Sequence, residues 1–262
     1  MVPNVLPNWA RLALSIATLL SYVPQYHRLR EQGHSDGLSL CYVAFSLASA
    51  TEHLTVGVLL NFGSPREDAF VEDPATAGDW FNLGQLGAVW LCSLVLFVLY
   101  LVYSRRRDAW VFAWTVYALY LFVSIIPAVL LAIYPSPRQT RDLFLLAHSL
   151  ILLPTSTALL IFGAATQTRE ITRRRRFGPD GLSLPGLVAQ AVVFALVAIS
   201  WVFRVQYPPY APSWDGWYRL VGWPVVGNGT FALIQGVLVW VAIRLPEEAE
   251  EGELESRPLL QG

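Results

Sequence analysis

The chain of 262 residues is 55% hydrophobic and only 14% charged, against roughly 25% charged in an average soluble domain, and its formal net charge is -1. That balance excludes an ordinary soluble domain, and the arginine run 173–176 lies between two apolar runs and does not read as a nucleic-acid patch. All 18 basic residues are arginine, and without a lysine amine no Schiff base can form, which excludes an opsin-like retinal site.

A membrane-spanning helix needs about 20 predominantly apolar residues. Seven runs reach that length: 8–28, 38–60, 79–103, 109–134, 142–167, 182–204 and 220–244. The first is not a signal peptide, because it lacks a basic start and a short apolar core and carries Arg11 in its first turn. Near its end stand Pro24 and Gln25. Pro24 has no amide hydrogen and its ring meets the carbonyl of Leu20, so the helix bends there, as a static kink or as a hinge. A basic stretch then leads to the turn pair Asp36-Gly37, and Ser39 is placed to cap the second run. That run holds Glu52, the one acidic residue well inside a spanning run, with His53 beside it. A charge at such depth costs roughly 2.5–3.5 kcal/mol on insertion scales, so Glu52 is a candidate proton carrier. Run three opens with Asn82 and Gln85, and run four lies in a linker, residues 104–141. Run five contains His148 and then Pro154, whose neighbours Thr155, Ser156 and Thr157 can satisfy the carbonyl the proline frees. The arginines 173–176 sit between two runs and read as a topology anchor. Asp180-Gly181 and Ser183 repeat the earlier turn and open run six, which carries Gln190, while run seven carries Asn228. Cys41 and Cys92 read as small packed residues, and no metal or cofactor is expected.

Twelve of the 18 arginines fall after runs one, three and five or at the C-terminus, while the opposite segments are acidic or aromatic, as at Glu67, Asp68, Glu72 and Asp73. Excess arginine marks the cytosolic side, which puts the N-terminus in the lumen and the C-terminus in the cytosol. Self-similarity adds a second layer. DGLSL occurs at 36–40 and again at 180–184, and QLGAVW at 85–90 is echoed by QGVLVW at 235–240. Runs one to three therefore match runs five to seven as parallel repeats about an axis along the membrane normal. The expected fold is an all-α integral membrane protein of seven helices: a three-helix repeat in 1–103, the linker helix in 104–141, a second repeat in 142–245, and a disordered acidic tail in 246–262.

The stretch from Tyr22 to Leu40, YVPQYHRLREQGHSDGLSL, resembles a PQ-loop: a Pro-Gln pair ending one helix, a short basic loop, and Gly-Leu-Ser opening the next. That family includes cystinosin, the lysosomal and vacuolar cationic amino acid exporters, and the related SWEET sugar carriers, and the resemblance covers most of the chain. It implies a seven-helix solute carrier in which Pro24 hinges the cytosolic gate. In the second copy, Phe162 to Leu184, the pair is missing, and Gln167 stands near the glutamine position without a proline. Cystinosin-like relatives carry an acidic residue nine positions after the repeat glycine, where this chain has Ser46 and Gln190. The cationic amino acid exporters place an Asp near Ala50, two residues before Glu52, and the SWEET carriers use Asn on the third and seventh helices, as at Asn82 and Asn228. These departures leave the substrate open.

At about 1.5 Å per residue, Glu52 lies some 20 Å from the cytosolic end of its run, and Gln85, His148 and Asn228 reach a similar level from the other side. Asn82 is one turn shallower than Gln85. The expectation is one polar tier in which Glu52, Gln85 and Asn228 line a pocket for a small polar solute, with His53 or His148 behind them. Glu52 and His53 point about 100° apart and cannot both face it squarely. The leading function is transport of such a solute, an amino acid first, with possible coupling to protons. The alternatives are a seven-helix solute sensor that recruits cytosolic partners and a SWEET-like sugar carrier. No H-E-x-x-H, G-x-S-x-G or pair of membrane aspartates points to an enzyme. The tail ends in ESRPLL, where Glu255, Leu259 and Leu260 resemble an acidic dileucine signal read by sorting adaptors, which implies a vacuolar or lysosomal membrane.

Overall fold

Proline and glycine decide where the helices of this chain begin, widen and stop. The computed structural model describes residues 6–63, 70–71, 75–105, 107–134, 137–173, 181–205 and 214–256, and all regular structure among them is helical. Helix α1 (Asn8–Gln32) runs through Pro24 and ends at Gly33, whose φ of 64° turns its N–H back to the carbonyl of Leu29. Helix α2 (Leu40–Gly63) follows the first Asp-Gly turn, and α3 (Ala77–Tyr103) opens on a capping box between Thr76 and Asp79. The expected fourth run is broken into α4 (Arg107–Val123) and α5 (Ile125–Ile133), which meet at Ser124. Pro127 has no amide hydrogen for the carbonyl of Val123, so the ladder is interrupted where the helix breaks. In the fifth run α6 (Arg138–Ala147) widens into a π turn at His148–Leu152 before α7 (Leu153–Arg173). Pro154 stands two residues beyond that turn. A second π turn, Tyr218–Gly222, lies just before Pro224, between the short α9 (Trp214–Trp217) and α10 (Trp223–Ser256). In both places the wider turn holds the carbonyl that the proline cannot satisfy. Helix α8 (Leu184–Trp201) is capped by the side chain of Ser183, which accepts from the amide of Gly186. Helix α10 continues to Ser256, into the segment expected to form the tail.

Six helical segments among the described residues are long and apolar enough to cross a membrane: Leu40–Phe62, Ala77–Tyr103, Trp110–Ile133, Gln139–Arg173, Leu184–Trp201 and Trp223–Arg244. Helix α1 falls short because it is built inside-out. Arg11, Thr18, Ser21, Tyr22 and Gln25 are buried against the protein, while Trp9, Leu12, Ile16, Leu19, Leu20 and Val23 are exposed. The rest of the molecule exposes apolar side chains in the same way, among them Val111, Phe112, Leu119, Phe122 and Ile133 on α4 and α5. Contiguous apolar surface on this scale suits lipid rather than water.

Helix α3 packs on both α1 and α2, and α10 packs on both α7 and α8. The two groups meet through α1 against α8 and α2 against α7, while α4 and α5 lie on the outer side of α2. At Gly163 on α7 a side chain would come within 3.0 Å of the Cα of Tyr42 and 3.1 Å of the carbonyl of Cys41, so the missing Cβ sets the spacing from α2. Gly163→Val is expected to cost about 1–3 kcal/mol, seen as a lower unfolding temperature of the detergent-purified protein; an unchanged temperature would mean that this contact does not fix the two helices.

Candidate functional site

At the arginine-rich end the two DGLSL turns face one another. Gly37 and Gly181 both have positive φ, 87° and 103°. A Cβ on Gly181 would fall on the carbonyl of Asp36 and within 2.9 Å of the Cα of Gly37. Two glutamines lock this pair. Gln25 on α1 donates Nε2 to the carbonyl of Gly181 at 2.8 Å and accepts at Oε1 from the amide of Ser183 at 2.9 Å. Gln167 on α7 donates to the carbonyl of Gly37 at 2.8 Å and accepts from the amide of Ser39 at 2.7 Å. Each glutamine makes the same two bonds at the same two positions of the other turn, and both side chains are buried. Pro24 lies beside a cavity of about 570 Å³, with Val23, His27, Ser183, Leu184 and Pro185 also on its wall. Asp36 lies 3.9 Å from His34. Asp180, Leu259 and Leu260 lie outside the described residues, and of Glu255 only the backbone is described.

Between the two helix groups a smaller cavity of about 40 Å³ is lined by Tyr22, Ser46, Ser49, His53, Ser93 and Asn228, together with apolar side chains. His53 hydrogen-bonds through Nδ1 to the carbonyl of Ser49 at 2.7 Å. That bond puts the proton on Nδ1, and Nε2 is buried without a side-chain hydrogen-bond partner among the described residues. Its ring lies 5.3 Å from that of Trp223, and a side chain at Gly227 would collide with it. Toward the opposite end, Phe70 is stacked between Trp201 and Trp223, at ring distances of 5.7 and 5.3 Å. Asn228 spends its amide on the carbonyl of Pro224 at 2.7 Å. Gln190 is buried on α8 but is not among the residues lining this cavity.

The structure divides the expected single tier. Glu52 is fully buried and points away from the cavity, toward the linker and the π turn. Its Oε1 accepts from the hydroxyl of Tyr120 on α4 at 2.5 Å, and its Oε2 is paired with His148 Nδ1 at 2.7 Å. Thr51 and Thr55 extend the same face of α2, bonding Tyr117 at 3.2 Å and Ser124 at 2.8 Å. The sites of Glu52 and His53 therefore differ as their 100° separation on the helix requires. Glu52, Gln85 and Asn228 do not share one pocket.

Gln85 and Asn82 belong to a third cluster. Gln85 donates to Thr18 on α1 at 3.1 Å and accepts from Arg204 at 2.9 Å, while Asn82 Oδ1 accepts from Arg11 at 3.2 Å and from Arg204 at 3.3 Å. Both arginines are almost wholly buried, at 1% and 2% exposure. Tyr120, Arg11 and Arg204 were not among the expected site residues. Tyr120 is one aromatic among many, but the two arginines carried a signal: they flank runs at the end where arginine is otherwise sparse. Compared with protein-family models, with curated proteins and with solved structures, the chain shows no match.

Proposed function

We propose that this protein is a PQ-loop-type membrane transporter of a small polar solute, an amino acid first, built as two parallel three-helix repeats joined by a linker helix. The reciprocal glutamine lock carries the reading. Gln25 holds the second DGLSL turn as Gln167 holds the first, which is what a pseudo-twofold axis between parallel repeats demands. The pairing of α1 with α8 and of α2 with α7 supports the same axis. The arginine-rich end is the cytosolic one on this reading, and the dileucine-like tail addresses the protein to a vacuolar or lysosomal membrane.

The central cavity has room for little more than water. It lies between the glutamine lock and the stacked Phe70, which suits an occluded state between two openings. The void beside Pro24 gives α1 room to bend at the lock. Glu52 with His148 would hold the coupling proton away from the solute, next to the linker.

The test is pH-dependent uptake of radiolabelled amino acids and sugars by purified protein in liposomes. Uptake of one class that an inward proton gradient drives, and that Glu52→Gln abolishes at normal expression, is the expected result. Unchanged uptake by Glu52→Gln across pH would remove Glu52 from the mechanism. Thermal stabilisation by one solute class without any flux would make the protein a sensor.

A further inference from the structure

The recess beside Pro24 is far larger than the gaps that helix packing leaves. At about 570 Å³ it falls within the roughly 300–1,000 Å³ of small-molecule sites. Apolar side chains make much of its wall: Val23 on α1, Ile171 on α7, Leu184 and Leu187 on α8, and Ala242 on α10. Val23 and Leu184 also belong to the outer surface, where they are 50% and 39% exposed. The recess is therefore an indentation of the lipid-facing surface, bordered by the exposed Leu19 and Leu20 of α1 and Val188 of α8.

In the first copy of the repeat the matching place is filled. Counted from Gln25 and Gln167, from the two DGLSL stretches and from Gln85 and Gln235, the residues Leu29, Leu38, Val43 and Cys92 stand where the second copy has Ile171, Leu182, Leu187 and Ala242. The first set is buried in one hydrophobic core, at 4% exposure or less. Tyr26 packs on that core and puts its hydroxyl on the carbonyl of Cys92 at 2.7 Å. Where α1 has Tyr26, α7 has the smaller Thr168, whose hydroxyl turns back to Ala164 of its own helix at 3.0 Å. Ile171, Leu182 and Ala242 remain half-buried on the wall of the recess. An apolar indentation that opens to a bilayer takes up hydrocarbon more favourably than water.

One polar group at its rim narrows the choice of occupant. Arg28 stands on the wall one turn past Pro24 and about 6 Å before the end of α1, where lipid headgroups meet a spanning helix. Its Nε is buried and has no hydrogen-bond partner among the described residues. His27 and Glu31 on the same wall pair with each other at 3.1 Å, and Glu170 stands on the α7 side. An unsatisfied guanidinium donor beside an apolar recess suits a phosphodiester with an acyl chain attached.

We propose that this recess holds one glycerophospholipid of the surrounding leaflet, with an acyl chain between α1, α8 and α10 and the phosphate on Arg28. The proposal goes beyond the transport reading and does not depend on it, since its test reads binding alone. The purified full-length chain in detergent is unfolded thermally with a phosphatidylcholine, with the diacylglycerol of the same chains, and with glycerophosphocholine, which has the head without the chains. The phosphatidylcholine should raise the unfolding temperature saturably, and the other two should not. Arg28→Gln should weaken the apparent affinity by about tenfold or more, and Ala242→Phe, which fills the recess, should remove the response. Arg28→Gln breaks no hydrogen bond described for the parent, so it should unfold like the parent without lipid, and it decides the matter alone should Ala242→Phe fold poorly. Equal protection by diacylglycerol would reduce the recess to a hydrocarbon-filled gap and overturn the proposal. Protection by glycerophosphocholine or by inorganic phosphate would make it a site for a soluble anion, which overturns it too. Undiminished protection of Arg28→Gln would place the lipid on the general surface of the bundle, with the same consequence.

Discussion

Replacing His148 by alanine is expected to destabilise the folded protein by about 1–3 kcal/mol, the usual cost of leaving a buried polar group short of a hydrogen-bond partner. Glu52 is fully buried, and without His148 its carboxylate would keep the hydroxyls of Tyr120 and Ser124 but lose the imidazole. Glu52→Gln should be milder, since the amide oxygen still accepts from Tyr120 and the amide nitrogen can donate to the imidazole. The double variant His148→Ala with Glu52→Gln should therefore be more stable than His148→Ala alone. Unfolding of the four proteins in the same detergent gives the coupling directly. A His148→Ala protein as stable as the parent would show that Glu52 is held by something other than this pair. The prediction also concerns function, because the pair ties α2 to the π turn, and a proton arriving at Glu52 would weaken that tie.

The second large effect is expected at Gly181. Alanine there is strained by a φ of 103°, at about 1–3 kcal/mol, and its Cβ collides with the backbone of Asp36 and Gly37. A backbone cannot rotate out of the way as a side chain can. The two turns must separate, and with them the bonds of Gln25 to Gly181 and Ser183. Gly33→Ala is the control: its φ is also positive, at 64°, but nothing lies within 4 Å of the added carbon. The expected result is a fall in unfolding temperature at Gly181→Ala well beyond that at Gly33→Ala. Equal effects at the two glycines would mean that the turns do not bear on one another.

The helical class was legible because apolar length and turn chemistry are local properties. The DGLSL repeat located both turns, and Gln167 was recognised by position although its proline is absent. Azimuth was not legible. Counting residues from a helix end gives depth, but the direction of a side chain depends on how the helix is rotated and on every irregularity before it. The π turn at His148–Leu152 inserts such an irregularity and turns His148 onto Glu52. Glu52, Gln85 and Asn228, which residue counting puts at one level, thus face three different neighbourhoods. The shortfall of α1 as a spanning helix has a related cause: its buried face is the polar one, which lowers its apolar content without changing its surroundings. Arg11 and Arg204 stood out only by lying at the end where arginine is sparse, and that signal is weak because arginine at the edge of an apolar run is ordinarily a flank.

The glutamine lock also constrains the order in which the protein can be made. Gln25 and its acceptor carbonyl at Gly181 are 156 residues apart in the chain. At about 5–20 residues per second, translation reaches the second turn on the order of ten seconds or more after the first glutamine has been made. During that interval Gln25 has neither of its partners at Gly181 and Ser183, and the first turn lacks Gln167. The nascent first half is therefore an incomplete object with a defined vacancy, filled only when the last helices arrive.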